Sequence, residues 1–187
     1  MNRLKQPFIL FLLLIFIASC STPKRSITYR STKKVSTRKR IPKKDTEIVD
    51  LRVRDEVLIH AIQHVGRDYK YGGKNPRTGF DCSGLVSYVF DKAGLDLNGA
   101  SHHQAEVGKW KSRSDLEPGD LIFFGKNKKI SHVAIVVKNE NERLEVIHST
   151  SSRGVVVDEI SQSRYWNARY LFGKDVISNN PRVYTSR

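Results

Sequence analysis

Three side chains in this sequence have the types and order that covalent acyl chemistry needs: Cys82, His132 and His148. A thiolate is a strong nucleophile toward an amide carbonyl, and an imidazole can take its proton and later return it to the leaving amine. Cys82 stands at the head of an apolar helical pattern, where backbone N–H groups and the helix dipole favour thiolate. Asp81 before it can cap that helix. Ser83 and Gly84 behind it are small and leave room and N–H donors for an oxyanion. Position alone leaves Cys82 open to two readings, a nucleophile or a buried structural thiol. Either histidine taken singly reads equally well as a core residue.

The elements that must position these residues follow from periodicity. Val53, Val57, Ala61, Ile62 and Val65 share a helical face from Asp50 onward, with Gly66 as the stop. Tyr69 to Pro76 is a Gly- and Pro-bearing loop, and Leu85, Val86, Val89 and Phe90 define a second helix that Gly94 ends. Ser101 and Gln104 have capping-box spacing, which predicts a short third helix. Beyond Pro118-Gly119-Asp120, strands are predicted over 121–125, 132–138, 144–149, 154–159 and 165–172. Asn139-Glu140-Asn141-Glu142 is the expected hairpin turn. Alternation puts His132 with Ala134 and Val136, and His148 with Leu144 and Val146. If those strands form a hairpin, one histidine takes the Cys82 proton while the other orients it. Helices first and strands afterwards predict an α+β domain with an antiparallel sheet.

The sequence outside this domain bears on where the chemistry happens. The chain has 187 residues, with 33 Lys plus Arg against 19 Asp plus Glu. Ten of those basic residues and only two acids lie between residues 21 and 47, whereas residues 48–187 hold 21 against 17. The domain is therefore only mildly basic, and nucleic acid is not an expected partner. Residues 1–19 have a basic start, an apolar run from Phe8 to Ala18 and a small-residue ending, the pattern of a secretory signal. An eleven-residue helix would be about 16 Å long, too short for a hydrocarbon core of ~30 Å. Ile17-Ala18-Ser19-Cys20 resembles the lipobox of bacterial lipoproteins, in which the cysteine is acylated after cleavage. An ordinary secreted protein with an incidental cysteine is the alternative. Residues 20–47 are then expected to be a lipidated cysteine and a disordered basic tether with a reach of roughly 30 Å. With Cys20 lipidated, Cys82 is the sole remaining thiol, so a disulfide scaffold is excluded. His60 and His64 at i, i+4 spacing lack a third metal ligand, and they and His102-His103 read as surface or loop residues. No metal and no cofactor is expected.

Tyr69-Lys70-Tyr71-Gly72-Gly73, Gly79-Phe80-Asp81-Cys82-Ser83-Gly84-Leu85-Val86, Glu117-Pro118-Gly119-Asp120-Leu121 and Ser131-His132-Val133-Ala134-Ile135-Val136 together resemble the NlpC family of papain-like cell-wall cysteine peptidases. The resemblance spans about residues 53–173 and implies a peptidoglycan hydrolase that cuts stem peptides between D-glutamate and a diamino acid. It implies Cys82 as nucleophile, His132 as base and His148 as the orienting third member. It further implies Tyr69 at the oxyanion site, Asp81 and Ser83 at the substrate pocket, and Gln104 near the cleft. Tyr71, where many members have tryptophan, and Gly99-Ala100 depart from the family pattern at the pocket rim. The expected layout is a signal peptide at 1–19, a tether at 20–47, a peptidase domain at 48–175 and a tail at 176–187. The expected location is the bacterial cell envelope, with the lipid on the outer membrane and the enzyme facing the periplasm. A binding lipoprotein without activity is the alternative, but it should have lost Cys82 or His132. Acyltransferase relatives commonly carry the histidine before the cysteine, and the order here is the reverse.

Overall fold

The computed structural model describes residues 43–178 and 180. The expected signal peptide, Cys20, most of the tether and the last seven residues lie outside the described residues. Helix α1 runs Lys43–Ile62, with Asp45 in its first turn. A short hairpin, β1 (Lys74–Asn75) and β2 (Gly79–Phe80), leads into α2 (Cys82–Lys92) and α3 (Ser101–Gln104). Then come β3 (Lys109–Lys111), β4 (Leu121–Lys126), β5 (Lys129–Glu140), β6 (Arg143–Thr150), β7 (Gly154–Glu159), α4 (Arg164–Asn167) and β8 (Tyr170–Asp175). Strands β3 to β8 form one antiparallel six-stranded sheet in the order β3-β8-β4-β5-β6-β7. The fold class is α+β, as the order of patterns predicts.

The sheet is buried on both faces, so β4 reads as a continuous apolar run rather than an alternation. Leu121, Phe123, Val133, Ile135, Ile147 and Val155 pack with Val53, Val57 and Ala61 of α1 and with Leu85, Val86, Val89 and Phe90 of α2. Ile122, Phe124, Ala134, Val136, Leu144 and Val146 form a second cluster, against which Trp166 and Tyr170 pack. Helix α2 ends in a Schellman arrangement, with Leu95 N–H donating to Phe90 O at 2.8 Å and Gly94 N–H to Asp91 O at 3.0 Å. Gly94 takes the positive φ of 80° that this stop requires. Both sheet hairpins β4–β5 and β5–β6 close through pairs of left-handed residues, Asn127-Lys128 and Asn141-Glu142. Positive φ at both central positions is the turn whose twist matches that of paired strands.

Arg54 is a charged residue on the buried side of α1. Its Nη1 donates to Asp120 Oδ1 and to Pro118 O, both at 2.8 Å, and its Nη2 lies 3.1 Å from Asp175 Oδ1. Burial pushes the Asp120 carboxyl up, and the adjacent guanidinium opposes that push. This ion cluster ties α1 to the segment entering β4 and to the end of β8.

Four expectations need correction. Ile62 and Val65 are exposed, because the buried stripe of α1 is the narrow Val53-Val57-Ala61 row and the helix ends at Ile62. The helix also begins at Lys43, inside the segment read as tether, while Val176 and Ile177 are buried beyond the expected domain end. Ser101 does not cap α3; the cap position is Ala100, with no side-chain bond. The expected strand 165–172 is split, because Ser163 Oγ accepts the Trp166 N–H at 3.3 Å and starts α4, delaying the strand to Tyr170.

Candidate active site

Cys82 is held at the first position of α2 by a dense local network. Asp81 Oδ1 accepts from Gly84 N–H at 2.6 Å and from Ser83 Oγ at 3.0 Å, while its Oδ2 accepts from Gly72 N–H at 2.9 Å. One carboxylate thus caps the helix and pins the Tyr69–Asn75 loop to it. Gly84 makes this approach possible: a Cβ there would overlap the Gly73 carbonyl. Gln104 is buried, and its Nε2 reaches Ser83 O at 3.0 Å, Leu97 O at 2.9 Å and Ser87 Oγ at 3.1 Å.

Asp81, Ser83 and Gln104 thus turn hydrogen-bonding atoms inward, toward the head of α2. None of the three lines the cleft described below. They hold the turn that carries the thiol.

A cleft of about 640 Å³ opens beside Cys82, with Tyr69, His132, Arg153, Trp166 and Arg169 in its walls. The N–H groups of Val133, Ser83 and Cys82 itself favour the thiolate, but burial outweighs them and raises the Cys82 pKa. Tyr69 is pushed up as well, by burial and then by nearness to Cys82, so its phenol stays a proton donor.

His132 and His148 come together through the sheet. His132 pairs with Phe124 of β4, and His148 pairs with Val156 of β7. Alternation places both imidazoles on one sheet face, and His132 Nε2 lies 3.0 Å from His148 Nδ1. Trp166 covers the pair: its ring stacks on His132 with centroids 4.9 Å apart and lies 4.9 Å from the His148 ring. Removal from water disfavours imidazolium, and His132 is lowered to about 3, with His148 the second cause. His148 is lowered too, by burial, against the pull of Asp158.

Asp158 and Arg153 belong to this constellation and are missing from the reading of the sequence. His148 Nε2 lies 3.0 Å from Asp158 Oδ2. Arg153 Nη1 donates to Asp158 Oδ1 at 2.8 Å, and its Nη2 closes a second, short contact on Oδ2. Hydrogen bonding to Arg153 brings Asp158 down to about 2. The signal was present in the alternation Val156, Asp158 along β7, but sequence alone does not set the β6–β7 register that aligns Asp158 with His148.

His64 packs against Phe80 and Tyr88 at ring distances of 5.2 and 5.1 Å, while the His102 and His103 rings lie 4.0 Å apart on α3. Neither group is in the wall of the cleft.

The sequence profile of the NlpC/P60 family matches residues 66–174. Gamma-DL-glutamyl hydrolase of Bacillus subtilis is 31% identical over 138 residues, which is 71% of this chain and 32% of that protein. Murein DD-endopeptidase MepS/Murein LD-carboxypeptidase of Escherichia coli K12 is 32% identical over 129 residues, 68% of this chain and 65% of that protein. The match thus spans less than two thirds of either relative. Among solved structures, a lipoprotein-like NLP/P60 family protein of Staphylococcus aureus superposes with a TM-score of 0.59 at 30% identity, over 68% of this chain and 42% of the other.

Proposed function

Because the chain belongs to the NlpC/P60 family, with the papain-like α+β fold of that family, we propose that it is a cysteine peptidase that hydrolyses peptidoglycan stem peptides. The observation that carries this reading is a cysteine at a helix N-terminus beside a cleft whose wall holds His132, itself hydrogen-bonded to the buried His148 behind it. Cys82 attacks the amide carbonyl while His132 takes its proton. The Cys82 N–H and the Tyr69 hydroxyl stabilise the oxyanion. His132 then protonates the leaving amine, and water hydrolyses the thioester by the reverse route. His148 orients His132 throughout. Burial raises the thiol and lowers the imidazole, which favours the neutral form of each before substrate binds.

The bond proposed is the one between D-glutamate and the diamino acid, a choice supported by the relative named for gamma-DL-glutamyl hydrolysis. The relative named a DD-endopeptidase supports a second reading, cleavage at a bond between two D-centres. Incubation of the purified full chain with defined stem peptides, followed by mass spectrometry, separates them. A product ending in D-glutamate supports the first reading, and cleavage only in cross-linked peptides supports the second. Binding to cell wall with no new peptide would instead favour an inactive wall-binding lipoprotein.

The proposed setting is the bacterial envelope, with Cys20 acylated and anchored in the outer membrane facing the periplasm. Ile17-Ala18-Ser19-Cys20 at the end of the apolar run supports this anchor, since several acyl chains at ~0.8 kcal/mol per buried CH₂ hold a protein on lipid. Residues 21–42, with their basic runs, would span the distance to the wall. A protein found soluble, and unchanged by globomycin, would overturn the anchor.

A further inference from the structure

We propose that Asp158, clamped by Arg153, is a positioning residue that sets the direction of every proton in the chain of groups running back to Cys82. This role rests on the peptidase reading and extends it by two residues.

At the far end of that chain, Arg153 offers two N–H groups to the two oxygens of Asp158, the fork geometry that holds a carboxylate ionised. An ionised carboxylate only accepts hydrogen bonds. The 3.0 Å contact with His148 Nε2 is therefore a donation from that nitrogen, and the hydrogen of neutral His148 sits on Nε2. His148 Nδ1 is left with a lone pair. Across the 3.0 Å gap, His132 Nε2 must then be the donor, which fixes the hydrogen of His132 on Nε2. His132 Nδ1 keeps its lone pair, and that is the atom available to take the Cys82 proton. Once it has done so, the positive charge on His132 is separated from the Asp158 carboxylate only by the His148 ring.

Burial makes the arrangement effective. The His148 side chain is 0% exposed and that of Asp158 17%, so no water competes at the His148 end. Arg153 is half exposed on the wall of the cleft, placed there by the turn between β6 and β7, where its backbone N–H donates to Thr150 Oγ1 at 3.2 Å. The other titratable groups facing the histidines across the cleft are Cys82 from α2, Tyr69 from the loop before β1, Glu159 of β7, and Tyr165 and Arg169 from the α4 segment. Among the described residues, none of the hydrogen bonds made by those five groups reaches either imidazole.

Without the carboxylate the chain can run backwards. An amide at position 158 can present its NH₂ to His148 Nε2, which moves the His148 hydrogen to Nδ1. That turns His132 Nε2 into an acceptor and puts the His132 hydrogen on Nδ1, where it blocks proton uptake. The same logic of a wrong tautomer applies to the aspartate of serine-protease triads, here passed through one more ring.

The test compares the full chain in detergent with its Asp158→Asn, Asp158→Glu, Arg153→Ala and double Arg153→Ala/Asp158→Asn forms. The alkylation rate of Cys82 by iodoacetamide is followed on the Cys82 peptide by mass spectrometry from pH 5 to 10, with cleavage of a stem peptide in parallel. For Asp158→Asn, alkylation near pH 7 should fall about tenfold, and the gap to the parent should narrow as the pH rises and hydroxide replaces His132 as acceptor of the thiol proton. Cleavage should lose about 10- to 100-fold in kcat, a range known for removing the hydrogen-bond partner of a metal-bound histidine, with KM within about twofold. Asp158→Glu should recover part of both. Arg153→Ala should cost less and should add nothing in the Asp158→Asn background. A loss of alkylation by the same factor at every pH, no loss at all, or additive effects of the two substitutions would overturn the proposal. A parent that does not cleave the peptide sinks the peptidase reading alone, since the alkylation profile still decides the role of Asp158.

Discussion

His132 couples the stability of the domain to pH in a way that can be calculated. Its ordinary pKa of 6.5 is lowered to about 3 in the fold, first by burial and second by His148. Above pH 6.5 the residue is neutral folded or unfolded and contributes no pH dependence. Below 6.5 the unfolded chain binds a proton that the folded chain refuses until about pH 3, so stability falls as the pH is lowered through that window and levels off beneath it. At about 1.36 kcal/mol for each pH unit crossed, the whole window is worth about 5 kcal/mol, and the part between pH 7 and pH 4.5 about 2.5 kcal/mol. Against a typical total of about 5 to 15 kcal/mol this is a large fraction. Urea unfolding of residues 40–187, the compact unit that holds the described elements, would measure it at the two pH values beside a His132→Asn variant. The parent should lose about 2.5 kcal/mol more than the variant on acidification. Equal losses, within about 0.5 kcal/mol, would mean that water reaches the imidazole and would refute the burial argument.

Other consequences follow from the packing around the thiol and the buried charges. Gly84→Ala drives a methyl group into the Gly73 carbonyl; it should cost about 1 to 3 kcal/mol and slow peptide cleavage more than tenfold while the circular dichroism spectrum stays close to that of the parent. Arg54→Met strands Asp120 and Asp175 in the interior, and urea unfolding should report a loss of about 3 to 5 kcal/mol. Gln104→Leu leaves the Ser83 and Leu97 carbonyls without their shared donor. Its cost of about 1 to 3 kcal/mol should come with lower kcat and little change in KM, since the side chain supports the thiol and does not line the cleft.

The strands and helices are legible in the sequence where burial is one-sided or a turn is marked. Val53, Val57 and Ala61 announce the face of α1, Gly94 the end of α2, and Asn139 to Glu142 the β5–β6 hairpin. Lys126-Asn127-Lys128-Lys129 does not stand out as a turn, because its left-handed pair carries no glycine and sits among charges like any exposed loop. The edge strand Lys109–Lys111 is hidden for a similar reason: its three residues, Trp110 among them, are largely exposed and carry no alternation. Within the site, Cys82, His132 and His148 stand out as chemically unusual residues at element ends and along strand faces. Asp158 and Arg153 do not, since an acid and a base near a turn resemble solvated charges until the β6–β7 register brings them to His148. Asp81, Ser83 and Gln104 lie where the sequence points, but sequence position does not reveal which way a polar side chain turns. Their hydrogen bonds run inward and hold the head of α2.

Whether Cys82 is the nucleophile of a peptidoglycan peptidase is tested most directly by incubating the purified chain and its Cys82→Ser variant with intact peptidoglycan and identifying released peptides by mass spectrometry. New stem-peptide fragments are expected from the parent and none from the variant, with both proteins binding the wall equally. Equal release by the two proteins, or none by a parent that still binds, would contradict that role.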